Sequence, residues 1–275
     1  MLYEEWIKSP HQEDGIPLKK EMEIRNEILD FMLEYGCHLI LHPENVFKAV
    51  FLFHRFSTQI SFKKFDRFLY AASATFLAAK LDDMPRPLEN AVKYYIFLTE
   101  HKKKYSQTKT AGEKDSLFKT DPPEKSTFQN QQTQEQFEEF SKTIDKKKIL
   151  DKKEKFCDAE VHILKMIGYD LEIDLPYRYL DEFTKKYEVI PSANIFMKIS
   201  KNFVNDTFRT TLCLYYPPHI IALAGLHLTQ VYLGDMLQDF NGKKWFKFFS
   251  EETSEEEIKQ AAEHLKEFYS VMNMK

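Results

Sequence analysis

Glycine is scarce in this chain, with 7 residues among 275, roughly a third of the usual share. That scarcity excludes glycine-rich phosphate cradles and works against turn-dense all-β architectures, which need residues free to adopt positive φ. Cysteine is rarer still. Cys37, Cys157 and Cys213 are odd in number and far apart, so they suggest no disulfide framework, and no Cys-x-x-Cys pair suggests zinc. Such usage fits a reducing intracellular compartment. No apolar run approaches membrane-spanning length, and the acidic opening "MLYEEWIKSP" does not read as a secretory signal. Positive charge is not in excess: the net charge is −4, which gives no general affinity for nucleic acid. Catalytic signatures are missing too. The sequence contains no Walker loop, no HRD or DFG, no GxSxG and no HExxH. His38 and His42 stand at i, i+4, but no acidic or cysteine partner completes a metal site. The expectation is a protein without catalytic residues, cofactor, metal or small-molecule ligand.

What is abundant is core material and helical punctuation. Hydrophobic residues make up 43%, including 24 Phe and 14 Tyr, enough to fill a large core without staples. Proline stands where helices begin in "LHPENVF" (Pro43), "MPRPLENAVKYY" (Pro87), "DLPYRYLDEF" (Pro176) and "YYPPHIIALAG" (Pro218). Ser254 precedes Glu257 at the spacing of a capping box. The pattern predicts helices near 20–40, 44–58, 64–81, 87–103, 141–167, 177–188, 192–209, 218–233 and 255–271, with a shorter one inside "KKWFKFF" (243–249). "YDLEIDL" (169–175) alternates and reads as locally extended. The basic runs at 100–105 and 145–156 read as solvated helix faces.

These helices fall into two groups of five. Between the fourth and fifth lies 106–136, rich in Gln, Lys, Thr and Ser. It has too few apolar residues to offset its ordering entropy and reads as a disordered inserted loop. A weak internal repeat supports the grouping. "PENVFKAVFLFHRF" precedes "FLYAASATFLAAKL", and "SANIFMKISKNFVNDTF" precedes "PPHIIALAGLHLTQVYL". In each half an amphipathic aromatic helix leads to one that is apolar nearly all round, suited to the middle of a bundle.

Two charges interrupt this pattern. Lys80 ends the Ala-rich helix in "FLAAKLDDMPRP" (76–87), where a cation suits the helix dipole and a long stem can reach water. Glu160 falls within the stripe of Phe156, Ile163, Leu164 and Ile167. A carboxylate there must reach water, find a partner or lie at an interface, since burial alone would cost several kcal/mol.

Five strings in order, "LFHRF" (52–56), "FLAAKLDDMPRPLENAVK" (76–93), "AEVHILKMIGYDLEIDLPYRYL" (159–180), "FVNDTFRTTLCLYYPPHIIALAGLHL" (203–228) and "NGKKWFKFF" (241–249), resemble the transcription-type cyclins, cyclins T and K, over roughly 20–270. The resemblance implies an all-α fold of two tandem five-helix cyclin boxes, at 20–168 (with the 106–136 insertion) and 176–271. It implies a nuclear regulatory subunit that forms a heterodimer with a cyclin-dependent kinase acting on the RNA polymerase II tail. It assigns kinase binding to Lys80 and Glu160, with Leu77, Leu81, Leu164, Tyr169 and Leu171 as the apolar part of the surface. Asp82 and Asp83 stand where the family has two glutamates. On this reading another protein completes part of the environment of Lys80 and Glu160. The first helix, "EIRNEILDFMLEYG" (23–36), does not reproduce the substrate-docking patch of cell-cycle cyclins. The alternatives are a cyclin-like structural subunit of a larger assembly and a general transcription factor with the same double fold. The second would carry a zinc ribbon and a basic face, and this sequence shows neither.

Overall fold

The computed structural model describes residues 9–105, 131–186, 193–234, 237, 239, 244–247 and 249–272. Among them are twelve α-helices, one short 3-10 helix and no strand. The chain divides into two compact units, Met1–Glu172 and Ile173–Lys275.

The first unit holds α1 (Pro10–Glu13), α2 (Leu18–His38), α3 (Pro43–Ser57), α4 (Arg67–Leu81), α5 (Leu88–Tyr105), α6 (Gln131–Thr143) and α7 (Lys146–Met166). The middle helix is α4, which packs against α2, α3, α5 and α7. Its small residues allow this. Ala71, Ala72, Ala74, Ala78 and Ala79 are all fully buried, so neighbours approach the backbone on every side. Its two buried hydroxyls turn inward rather than stay unpaired. Ser73 Oγ donates to the carbonyls of Leu69 (2.9 Å) and Phe156 (3.3 Å), and Thr75 Oγ1 donates to Ala71 (2.9 Å).

The second unit holds α8 (Tyr177–Lys186), α9 (Ala193–Thr207), α10 (Leu212–Tyr215), α11 (Pro218–Leu233), a 3-10 turn at Trp245–Lys247 and α12 (Glu255–Val271). Here α11 takes the central place, against α8, α9 and α12. A Cβ on Gly225 would stand 2.8 Å from Val204 Cγ2 and 3.1 Å from the Ser200 carbonyl, so only glycine lets α9 and α11 cross this closely. Ser200 and Thr229, both buried, bond to each other across the crossing at 2.9 Å.

Several boundaries differ from the sequence reading, each for a local reason. The helix expected at 64–81 starts at Arg67, because Asp66 caps it by accepting from the Leu69 amide. The single helix expected over 141–167 is two, broken before Asp145, whose carboxylate accepts from the Lys147 amide and starts α7 afresh. The loop expected at 106–136 lies outside the described residues up to 130, but its last six residues belong to α6. Two aromatic residues hold that helix: Phe137 stacks on Tyr94 at 3.8 Å between centroids, and Phe140 lies 5.5 Å from Phe97. Composition alone could not show this, since two rings suffice to dock an otherwise polar helix. Residues 170–175, read as locally extended, form neither helix nor strand, and the last two residues of the helix expected at 177–188 lie outside the described ones.

The C-terminal turn of α2 carries strain. It closes with the Leu41 amide on the Gly36 carbonyl and the Ile40 amide on Cys37, both at 3.0 Å, a closure that puts Ile40 at φ 55. A β-branched residue is poorly suited to that region, and Ile40, 66% exposed, gains little burial in return. Ile40→Gly is expected to raise stability by about 0.5–1 kcal/mol, seen as a higher denaturant midpoint with an unchanged slope. A lower midpoint would show that the side chain contributes more than its conformation costs.

Candidate kinase-docking site

Lys80 lies in the last turn of α4, and Glu160 lies on α7 where the two helices meet. Lys80 Nζ donates to Glu160 Oε1 at 2.6 Å, and the ammonium also stands 4.5 Å from the centre of the Phe76 ring. The two charges therefore answer each other within the chain. Their side chains are unequally covered, 41% exposed for Lys80 and 14% for Glu160. An ion pair this open to water stabilises a fold by about 1 kcal/mol at most.

The stripe on α7 differs in one respect from the sequence reading. Phe156, Ala159, Ile163 and Ile167 enter the core, while Leu164 is half-buried beside Glu160 at the margin. The carboxylate thus sits on the rim of the apolar face rather than inside it. Its position, one turn before Leu164, leaves a charged and an apolar group side by side at the surface.

The aspartates after Lys80 divide the work of ending α4. Asp82 is half-buried and turned inward, pairing with Lys48 and accepting from the side-chain Nδ2 of Asn45, both on α3. It fastens the end of α4 to the start of α3 and so fixes the height of Lys80. Asp83 is exposed at φ 54. Its amide donates to the Lys80 carbonyl (3.2 Å) and the Met84 amide to Ala79 (2.9 Å), a closure that needs a left-handed residue. Aspartate adopts that conformation more readily than longer side chains do.

Beyond α7 the same closure recurs. The Gly168 amide donates to Lys165 (3.2 Å) and the Tyr169 amide to Leu164 (2.9 Å). Tyr169 stands at φ 57 with 61% of its surface exposed. Leu171 is half-buried after it, as is Leu81 at the end of α4, whereas Leu77 is 4% exposed and belongs to the core. The structure thus pairs Lys80 with Glu160 where α4 meets α7, with Leu164 one turn further along α7 and Tyr169 and Leu171 in the turn after it, while Leu77 lies in the core and Asp82 is occupied internally.

Sequence reasoning missed the residue that anchors this turn. Arg55, on α3, donates Nη2 to the Asp170 carboxylate (2.7 Å) and Nη1 to the Asp170 carbonyl (2.9 Å). The guanidinium holds the Asp170 carboxyl below the usual carboxylate range. The string "LFHRF" contained Arg55, but nothing in it pointed to a partner 115 positions away. Among the described residues no cluster of three or more His, Cys, Asp or Glu could hold a metal ion, and no helix is long and apolar enough to cross a membrane.

Residues 1–172, which include all of these residues, match the family described as the cyclin N-terminal domain. The chain belongs to the cyclins. Among the cyclins it is similar to those named T and K. It is 30% identical to Cyclin-T1-5 of Arabidopsis thaliana over 88% of this chain and 36% of that protein. It is 24% identical to human Cyclin-K over 95% of this chain and 39% of that one. This cyclin therefore spans well under half the length of these curated relatives. Its fold is similar to that of a chain in the yeast RNA Pol II CTD kinase CTDK-1 complex, with a TM-score of 0.68 at 14% identity, covering 96% of this chain and 71% of that one. The helical units found here are thus the cyclin fold, with α6 and its two phenylalanines packed on α5.

Proposed function

We propose that this cyclin is the activating, non-catalytic subunit of a cyclin-dependent protein kinase, and that it docks through Lys80, Glu160, Leu81, Leu164, Tyr169 and Leu171, with Leu77 and Asp82 in support and Asp83 at the edge. The observation that carries the reading is a half-open Lys80–Glu160 pair followed, in the turn after α7, by an exposed tyrosine held at φ 57. Neither feature is explained by stability, since the pair adds about 1 kcal/mol at most and the tyrosine conformation opposes folding. Both suit a surface completed by a partner.

The mechanism follows from differential binding. A kinase exchanges between an inactive arrangement and one in which the glutamate of its αC helix pairs with the lysine that aligns ATP. A cyclin that binds the second arrangement more tightly shifts the population towards it. The apolar side chains supply burial, while Lys80 and Glu160 set register by rewarding one placement of opposing charges. The pairing of the two charges with each other keeps both satisfied until the partner arrives.

The substrate and setting rest on the relatives. Cyclins T and K are what this chain is similar to, and the solved structure of like fold is named as a kinase complex for the C-terminal tail of RNA polymerase II. We assign this cyclin to a nuclear transcription kinase acting on that tail, with cyclin boxes at 20–168 and 176–271. One observation favours a second reading, a structural cyclin within a larger assembly: Lys80 and Glu160 need no partner to be neutralised. Purification of the native protein followed by mass spectrometry of stoichiometric partners separates the two. A protein kinase in one-to-one ratio is expected. An assembly lacking any kinase would favour the structural reading.

A further inference from the structure

The turn after α7 is held by a residue that neither helix of the Lys80–Glu160 pair contains. Arg55 contacts Asp170 twice, once at the carboxylate and once at the main-chain carbonyl. The Asp170 carboxylate also accepts from the Glu172 amide at 3.2 Å. Arg55 thereby engages the side chain and the backbone of one residue, and Asp170 in turn orders the residues on its far side. The segment so fixed is Tyr169 to Glu172.

Fixing it has a conformational cost. Gly168 and Tyr169 are consecutive left-handed residues, at φ 66 and φ 57. Glycine adopts this region freely, whereas an L side chain such as tyrosine is strained there. Burial of the ring does not offset that cost, because Tyr169 is 61% exposed. The hydrogen bond from the Tyr169 amide to the Leu164 carbonyl and the Arg55 clamp are what hold the turn. An isolated surface ion pair has little structural value, yet here a guanidinium with 23% of its side chain exposed reaches across 115 positions to secure an exposed aromatic residue.

We propose that Arg55 is a positioning residue for kinase docking: through Asp170 it holds the turn so that Tyr169 and Leu171 stand preformed beside Leu164 before the kinase arrives. This rests on the kinase-docking reading above. The gain is preorganisation. Each residue left free until binding adds ordering entropy to the cost of association, and a turn fixed in advance avoids that cost. Lysine cannot replace arginine fully here, since a single ammonium lacks the planar fork that serves two acceptors at once.

The test compares wild type, Arg55→Ala, Asp170→Ala, Arg55→Lys, Tyr169→Ala and Arg55→Ala/Tyr169→Ala, all as the full chain. Each is measured by calorimetry against the kinase that co-purifies with the wild type, and by thermal unfolding. Arg55→Ala and Asp170→Ala are expected to weaken binding about tenfold, within the coupling range of residues in one network, with Tm changed by only a few degrees. Arg55→Lys should fall between. In the Tyr169→Ala background, Arg55→Ala should have a clearly smaller effect than in wild type, because one of the two groups it positions is gone. Unchanged affinity of Arg55→Ala and Asp170→Ala overturns the positioning role while leaving docking intact. So does full additivity with Tyr169→Ala, which would mark a merely structural arginine. A wild type that binds no kinase overturns the docking reading and this proposal with it.

Discussion

Lys80→Glu is expected to abolish stable kinase association while leaving the helical fold in place. In the free chain the substitution removes one half-open ion pair and sets two carboxylates against each other at the α4–α7 crossing. It also puts a negative charge in the last turn of α4, where the dipole favours a cation. Together these should lower stability by about 1–2 kcal/mol, a Tm shift of several degrees for a unit of this size. In the complex the same change is far more severe. If the kinase docks on this surface as proposed, it removes water from Lys80 and Glu160, and a charge left without its partner at a buried interface costs roughly 2–5 kcal/mol, equivalent to a loss of about thirty- to several-thousand-fold in affinity. Circular dichroism and calorimetry with the kinase check the two halves of this expectation. The double swap Lys80→Glu/Glu160→Lys sharpens it. It restores the internal pair but presents reversed charges, so stability should return while binding does not. Recovery of both would mean that the pair serves only the cyclin fold.

Arg25→Met is expected to produce the largest loss of stability, without touching the docking rim. Arg25 is 4% exposed and donates Nε and Nη2 to Glu21 Oε1 at 3.0 and 2.8 Å. Its Nη1 donates to His54 Nδ1 and Ser57 Oγ, each at 3.0 Å, and Nη2 lies 3.1 Å from His11 Nε2. Glu21 is itself only 6% exposed, and its other oxygen accepts from Ser9 Oγ at 2.9 Å. Removing the guanidinium leaves a buried carboxylate uncompensated, which costs about 3–5 kcal/mol, or roughly 6–20 °C in Tm. Adding Glu21→Gln should recover part of the loss, because the stranded charge is then gone.

The cluster also gives stability a pH dependence. Burial, with the Arg25 charge as a second cause, lowers the His11 pKa from 6.5 to about 4. The unfolded chain therefore takes up a proton on His11 before the folded one does, so stability is full above about pH 6.5 and falls as pH drops towards 4. Allowing for solvent screening, the loss is about 2 kcal/mol. Unfolding of wild type and His11→Gln across this window should show a shallower slope for the variant. Equal slopes would place the titration elsewhere, since burial lowers His38 and His227 as well.

The composition and order of residues determined much of this. Scarce glycine, proline at helix starts and Ala-rich stretches at positions 71–79 made an all-helical protein with a central small-residue helix legible, because helix periodicity and capping are local properties of the chain. The motif strings around Lys80 and Glu160 were legible for the same reason. Tertiary structure alone decided what those residues touch. That Glu160 pairs with Lys80, that Asp82 is taken by Lys48 and Asn45, and that Arg55 clamps Asp170 all depend on contacts 34 to 115 residues apart. So does the docking of α6, where Phe137 on Tyr94 and Phe140 on Phe97 hold a helix that takes in the last six residues of the expected loop. Local sequence sets which turns and faces a segment can form, but the partner of a side chain is fixed only when separate helices pack and bring distant charges within hydrogen-bonding range.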